Sequence, residues 1–329
     1  MKTNLDLVND TDGFPYGDIA NVQVLGQNIY TLLWEDEQGA YPVGYVLDRV
    51  IQEFVKVPAA VIGDIDVDHE QRTLKMLRLP TEAERTERLG KVAGYFRENN
   101  VFKLLKGWRD ELWPVFGRNG ELLFSMERAA MGLIGTMRYG VHMTAYVQDP
   151  AAPHGIKVWV PVRAADKSTF PGMLDNTVAG GLMTGEDEFE CMVREADEEA
   201  SLPEDVVRAR AKRVGTVTYL FITDDKNCGE AGFVYPECEW VYDLLLPADV
   251  IPQPKDGEVA EFRLDDVDQV KRDLKAGNFK TNCAVVMLDF FIRHGIIKAE
   301  EEPDFELVKQ RMHRDILFPG PHREEWRAA

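Results

Sequence analysis

The sequence predicts an α/β protein, a mixed sheet with helices on both faces, preceded by a smaller α+β unit. Three observations lead there. The 329 residues exceed what one hydrophobic core usually accommodates, so two domains, or one domain with a large appendage, are expected. From Tyr139 the texture changes from mixed short strands and helices to long apolar strands separated by Pro and Gly. After that point the order runs strand, helix, strands, helix, which suits a mixed sheet covered on both sides.

The elements can be justified in order. Residues 29–34 and 41–47 are short apolar strands, and residues 82–99 and 108–112 carry helical signals. Asn119-Gly120 between apolar flanks marks a hairpin over 116–123, and residues 126–133 read as a short connecting helix. The second sheet begins with strands at 142–149, 156–164 and 176–183, separated by turn residues that include Pro150, Pro153, Gly155 and Pro171-Gly172. Helical periodicity follows over 186–200, then strands at 214–223 and 238–246, then a helix over 282–293 stopped by Gly295. The expected division is an amino-terminal α+β domain over 1–136, a second domain over 137–300, and a solvated tail over 301–329 that opens on Glu300-Glu301-Glu302.

Composition excludes several classes. With 45% hydrophobic and 29% charged residues, 10% aromatics and six tryptophans, the chain is an ordinary globular one rather than disordered. A net charge of −19 repels nucleic acid and anionic membranes, so neither is an expected partner. A phosphorylated ligand faces the same field and needs a local basic residue or a bound cation. Cys191, Cys228, Cys238 and Cys283 form no C-x-x-C pair, which points away from a zinc site or disulfide scaffold and towards a reducing compartment. No basic and apolar leader and no apolar run of roughly 20 residues is present, so a cytoplasmic location is expected.

The chemistry is concentrated in residues 180–202, GGLMTGEDEFECMVREADEEASL. On a helix, Phe189, Val193, Ala196 and Ala200 form an apolar stripe with Met192 at its edge. The polar arc holds Arg194, Glu198, Glu195 and Glu199 in angular order within about 140°. Three carboxylates on one face cost a few tenths of a kcal/mol per like-charged pair unless a cation sits among them. Magnesium or manganese suits such oxygen ligands and bridges them to phosphates. A solvated acidic face is the alternative for an isolated E-x-x-E-E.

The surrounding spacing resembles the Nudix box, G-x5-E-x7-R-E-U-x-E-E-x-G-U, where U is a bulky aliphatic. Gly180, Glu186, Arg194, Glu195, Glu198, Glu199 and Leu202 match, Ala196 is a smaller apolar residue at the first U, and Ser201 replaces the last glycine. That glycine serves a turn where positive φ is often needed, so Ser201 puts the turn's geometry in question. PGMLDNTVAGG before the box, READEEASL within it and NFKTNCAVVMLDFFIRHGII near the end resemble the thiamin pyrophosphokinase-associated subgroup of Nudix proteins. Residues 42–46, PVGYV, resemble its additional amino-terminal domain more weakly. The resemblance implies an α/β/α Nudix sandwich and a metal-dependent hydrolase that takes thiamin diphosphate, or its oxidised oxo and oxy analogues, to the monophosphate plus inorganic phosphate. Such an enzyme would serve metabolite damage repair.

On this reading Glu195, Glu198 and Glu199, with Gly180, hold Mg2+ or Mn2+, and Arg194 orients a glutamate beside it, Glu198 being the neighbour on the helix. Gly180 and Gly181 let the backbone approach the diphosphate. Glu186 is either a further ligand or a partner of the helix dipole. A general base outside the box is sought among Glu258 and Glu261 of the segment DGEVAEF, and Glu239 of a later strand. His142, Trp159 and Trp240, with Tyr146 and Tyr242, are the candidates for holding a flat head group. Cys191 falls on the polar side of the box helix. Competing readings are a Nudix pyrophosphatase of a nucleoside diphosphate derivative such as ADP-ribose, and a diphosphate-binding module without turnover. The partner is a small-molecule diphosphate, and a homodimer is compatible with the sequence.

Overall fold

A computed structural model describes residues 1–225 and 230–323. Its centre is a six-stranded mixed sheet. Strand Arg138–Gln148 runs through the middle, parallel to Val234–Leu245 on one side. On the other side it pairs antiparallel first with Val178–Gly181 and then, at its far end, with Ile156–Arg163. Ala211–Ile222 and Val259–Asp266 complete the sheet at its two edges.

Strand alternation assigns the two faces. Trp240 and Tyr242 point into one apolar layer with Met192, Val193 and Ala196 of the box helix, Glu188–Ala200. Val241, Tyr219 and Phe221 point into the opposite layer, against Val286, Phe290 and Phe291 of the helix Thr281–Arg293. The result is the expected α/β/α arrangement.

The amino-terminal part is built on a five-stranded sheet in which Gln27–Asp36 pairs antiparallel with Gly39–Leu47. Helix Glu82–Glu98 packs beside it, opened by a reciprocal capping box between Thr81 and Glu84. The Asn119-Gly120 turn joins Leu112–Phe116 to Leu122–Glu127 as a separate hairpin. One apolar cluster runs without a break from Ile29, Leu32 and Val46 through Trp113, Met131 and Leu133 to Val141 and Met192.

Four expectations are corrected. Residues 108–112 are not helical: a 3-10 turn, Lys103–Gly107, precedes them, Asp110 takes a left-handed conformation, and Leu112 opens a strand. Pro114 favours that outcome by pushing Trp113 into extended geometry. Met126 completes a strand, and the connecting helix is the 3-10 segment Arg128–Leu133, capped by the Glu127 side chain. DGEVAEF leads into the edge strand Val259–Asp266, whose alternating charges hid it among loop residues and are a usual protection of an exposed edge. The last segment is no solvated tail. Glu300 and Glu301 are exposed, but helix Phe305–Met312 buries Val308 and Met312, Phe318 enters the main core, and buried Arg314 pairs with Asp12 at 2.9 Å. Residues 324–329 of that tail, and Cys228, lie outside the described residues.

Candidate active site

The box is a strand, a turn and a helix folded onto one another. Asp187 caps the helix by accepting from the N–H groups of Phe189 and Glu190. At its other end Ser201 adopts φ 51° and ψ 32°, so a serine holds the left-handed turn expected of glycine. Strand Val178–Gly181 lies against the helix, and its glycines are there for space. A methyl group on Gly180 would overlap the carboxylate of Glu195, and one on Gly181 would overlap the indole of Trp113 from the amino-terminal part.

The acidic residues differ in environment. Glu199 is buried, its Oε2 accepting from the Ala179 N–H at 2.9 Å, and it has no ion-pair partner among the described residues. Burial, with Glu195 and Asp175 nearby, pushes its carboxyl well above the usual range. Burial also raises Glu195, against the opposing pull of Arg194. Arg194 makes its bidentate pair with Glu186, not Glu198, and reaches Glu195 at 2.8 Å and Glu198 at 2.9 Å with its remaining nitrogen.

Glu195 and Glu198 are thus turned to a guanidinium, and among the described residues no three metal-ligating side chains already converge on one point. The donor set nevertheless fits a hard cation, because Glu199 is a buried carboxylate with no countercharge and Glu195 stands close enough to raise it further.

These carboxylates line a cavity of about 260 Å³ together with Glu258. Lys167 and Arg109 pair with Glu258 and, despite burial, hold its pKa below the ordinary value. Six cationic side chains (Arg109, Arg128, Arg163, Lys167, Arg194 and Lys280) face six acidic ones on these walls. An anionic ligand therefore meets a locally neutral cleft inside a protein of charge −19.

A second cavity of about 250 Å³ shares the wall formed by Ala179, Gly180, Gly181 and Lys280. Trp113, Tyr139 and Tyr235 line it, with Glu237, Glu239 and Tyr219 deeper in. Arg138 lies over both the Trp113 ring and the Tyr235 ring, at 4.8 and 4.1 Å from the centroids, and pairs with Glu237 at 2.8 Å. His142 borders this cavity; its Nδ1 bonds Asn176 at 2.8 Å, and Nε2 stands 3.7 Å from Glu239.

The cavities thus bring together Gly180, Gly181, Arg194, Glu195, Glu198, Glu199 and Glu258 on one side, and His142 and Glu239 on the other. Trp240 lies in the core, stacked on Tyr139, and Trp159 packs half-buried against the same core; neither lines either of these two cavities. Tyr146 packs on Phe290, Tyr242 on Phe189, and Glu261 is exposed on its edge strand. Cys191 is buried under Gly181 rather than on the polar side, because strand Val178–Gly181 covers it. Sequence reasoning missed Arg109, Trp113, Arg128, Arg138 and Lys280, which come from segments far apart in the chain. Only Lys280 falls within a segment that carried a family resemblance.

An α/β/α fold with this box and its carboxylates defines a Nudix hydrolase, an enzyme of phosphoric anhydride bonds. The chain carries a domain of that family: residues 140–284 match the NUDIX domain, and residues 35–138 match a domain of unknown function, DUF4743. It is 34% identical over 319 residues to the uncharacterized protein YJR142W of Saccharomyces cerevisiae, covering 96% of this chain and 92% of that one. Nudix hydrolase 20, chloroplastic, of Arabidopsis thaliana is 39% identical over 214 residues, 64% of this chain and 54% of its own length. Nudix hydrolase 24, chloroplastic, of the same plant is 36% identical over 245 residues, 74% of this chain and 63% of its own. The chain thus spans less than two thirds of either plant relative. Among the described residues no helix is long and apolar enough to cross a membrane.

Proposed function

We propose that the protein is a hydrolase dependent on magnesium or manganese that converts thiamin diphosphate, above all its oxidised oxo and oxy analogues, to the monophosphate and inorganic phosphate. The observation that carries this reading is the pair of joined cavities, one lined by box carboxylates and basic side chains, the other by aromatic rings and buried polar groups. A compact diphosphate with a flat heteroaromatic head suits that division. Thiamin itself comes from the subgroup resemblance of PGMLDNTVAGG and NFKTNCAVVMLDFFIRHGII.

Glu195, Glu198 and Glu199 would hold the metal, with the Gly180 backbone beside them. Bound there, the ion would neutralise phosphate oxygens and lower the pKa of a water. Arg194 positions Glu195 and Glu198, anchored through Glu186. Glu258 faces the box across the cavity as an ionised carboxylate and is the candidate acceptor for the proton of the attacking water. In the other cavity the Arg138 guanidinium already lies over the Trp113 and Tyr235 rings, which disfavours a cationic thiazolium and favours the neutral head of the oxo analogue. His142 serves as a hydrogen-bonded wall residue. Cys191, Cys238 and Cys283 are buried, and a cytosolic setting is part of this reading.

The test compares kcat/KM for oxothiamin, oxythiamin and thiamin diphosphate with that for ADP-ribose, using one metal in one buffer. The neutral oxothiamin diphosphate is expected to lead. Faster turnover of ADP-ribose than of all three would sink the thiamin assignment and leave a Nudix pyrophosphatase of another substrate.

A further inference from the structure

We propose that Lys280 is the seat of the phosphate bonded to the substrate's head group, and that this seat binds a phosphomonoester without metal. The inference rests on the reading above, in which the outer phosphate lies at the box and the head group in the neighbouring cavity. The inner phosphate must then cross the wall the two cavities share, and Lys280 stands on that wall.

The cleft's ion pairs single this lysine out. Seven cationic side chains line the two cavities, and six have a carboxylate partner: Arg109 with Glu258 at 3.8 Å, Arg128 with Glu111 at 3.0 Å, Arg138 with Glu237 at 2.8 Å, Arg163 with Asp175 at 2.5 Å, Lys167 with Glu258, and Arg194 with Glu186. Those six are already engaged by five carboxylates before any ligand arrives, Glu258 serving both Arg109 and Lys167. Lys280 has no carboxylate within 4.0 Å and no side-chain hydrogen bond among the described residues. Its backbone is held, the N–H donating to Leu174 O and the carbonyl accepting from Ala284, both at 2.9 Å.

Burial opposes its charge, and the more distant carboxylates of Asp175 and Glu239 support it. The same residue is the cap of helix Thr281–Arg293 without a side-chain cap bond, and Thr281 and Asn282 border the head-group cavity. A dianionic ester in this place would meet a protonated amine and the positive end of a helix.

The experiment is calorimetric titration of the full chain in EDTA with thiamin monophosphate and, separately, with inorganic phosphate. The wild type is expected to bind both. Lys280→Met is expected to weaken each by at least about tenfold, a loss of about 1.4 kcal/mol. Lys280→Gln is run beside it, and thermal unfolding checks that each variant folds. With metal present, either variant should raise KM while kcat stays within about threefold. Equal affinity in wild type and both variants overturns the proposal and leaves the hydrolase reading intact. So does a wild type that binds neither ligand at millimolar concentration without metal. Lysine-dependent binding of inorganic phosphate, with none of thiamin monophosphate, upholds the seat and removes the thiamin assignment.

Discussion

Arg194 grips Glu186 through two hydrogen bonds, Nε to Oε1 at 2.7 Å and Nη2 to Oε2 at 3.1 Å. The planar fork is thereby oriented from outside the box helix, and its third nitrogen is left to hold Glu195 and Glu198 in place. A lysine has no fork. In Arg194→Lys, kcat should fall by about tenfold or more while KM stays within a fewfold, because the arginine acts on glutamates rather than on substrate. Steady-state kinetics on the thiamin compounds would show it; a large KM rise at normal kcat would place Arg194 on the substrate.

Glu199 is a buried carboxyl with no ion-pair partner among the described residues, held well above the usual carboxyl range by burial, and a divalent ion would favour its ionised form. Magnesium or manganese should therefore raise the thermal unfolding temperature of the wild type by several degrees, and much less in Glu199→Gln. Equal shifts in both would remove Glu199 from the ligand set.

Ser201 sits where L-residues are strained, at φ 51°. Replacing it with glycine relieves that strain without changing the turn, so Ser201→Gly should stabilise the fold by about 1 kcal/mol and leave activity unaltered. Denaturant unfolding at fixed metal concentration is the measurement, and a loss of stability would refute the account.

Asp243 faces the helix Thr281–Arg293 rather than the box helix, receiving two bonds from Arg293 at 2.6 and 2.9 Å and one from His294 at 2.9 Å. Burial alone would raise its pKa; the bonds from His294 and Arg293 outweigh burial and hold it below the ordinary carboxyl value. A depressed folded pKa contributes stability above the unfolded pKa of about 3.9, and that contribution disappears as pH falls through the folded value. Asp243→Asn should thus be less stable than wild type at pH 7, and the gap should close in strong acid. A gap independent of pH would mean that packing, rather than charge, is lost.

The box was readable because its residues are neighbours on one helix, where spacing alone decides which share a face. The strands of the central sheet were readable from their apolar runs. Trp113, Arg128 and Arg138 were not, since they lie on separate segments, the hairpin, the 3-10 turn after it and the start of the central strand, that only the tertiary fold brings to the box. Trp240 and Trp159 misled for a related reason: composition marks an aromatic residue but not which side of a strand it occupies. The edge strand Val259–Asp266 was hidden by its charges, and Phe318 by the acidic run before it.

The unbroken apolar cluster from Ile29 to Met192 makes melting a shared event. Loosening the amino-terminal sheet would carry Trp113 away from Gly181 and open the catalytic cleft from behind, so heat inactivation and loss of the whole core should follow one cooperative transition. Trimming the chain to its second half would expose an oily seam and discard Arg109, Glu111 and Arg128, which line the box cavity.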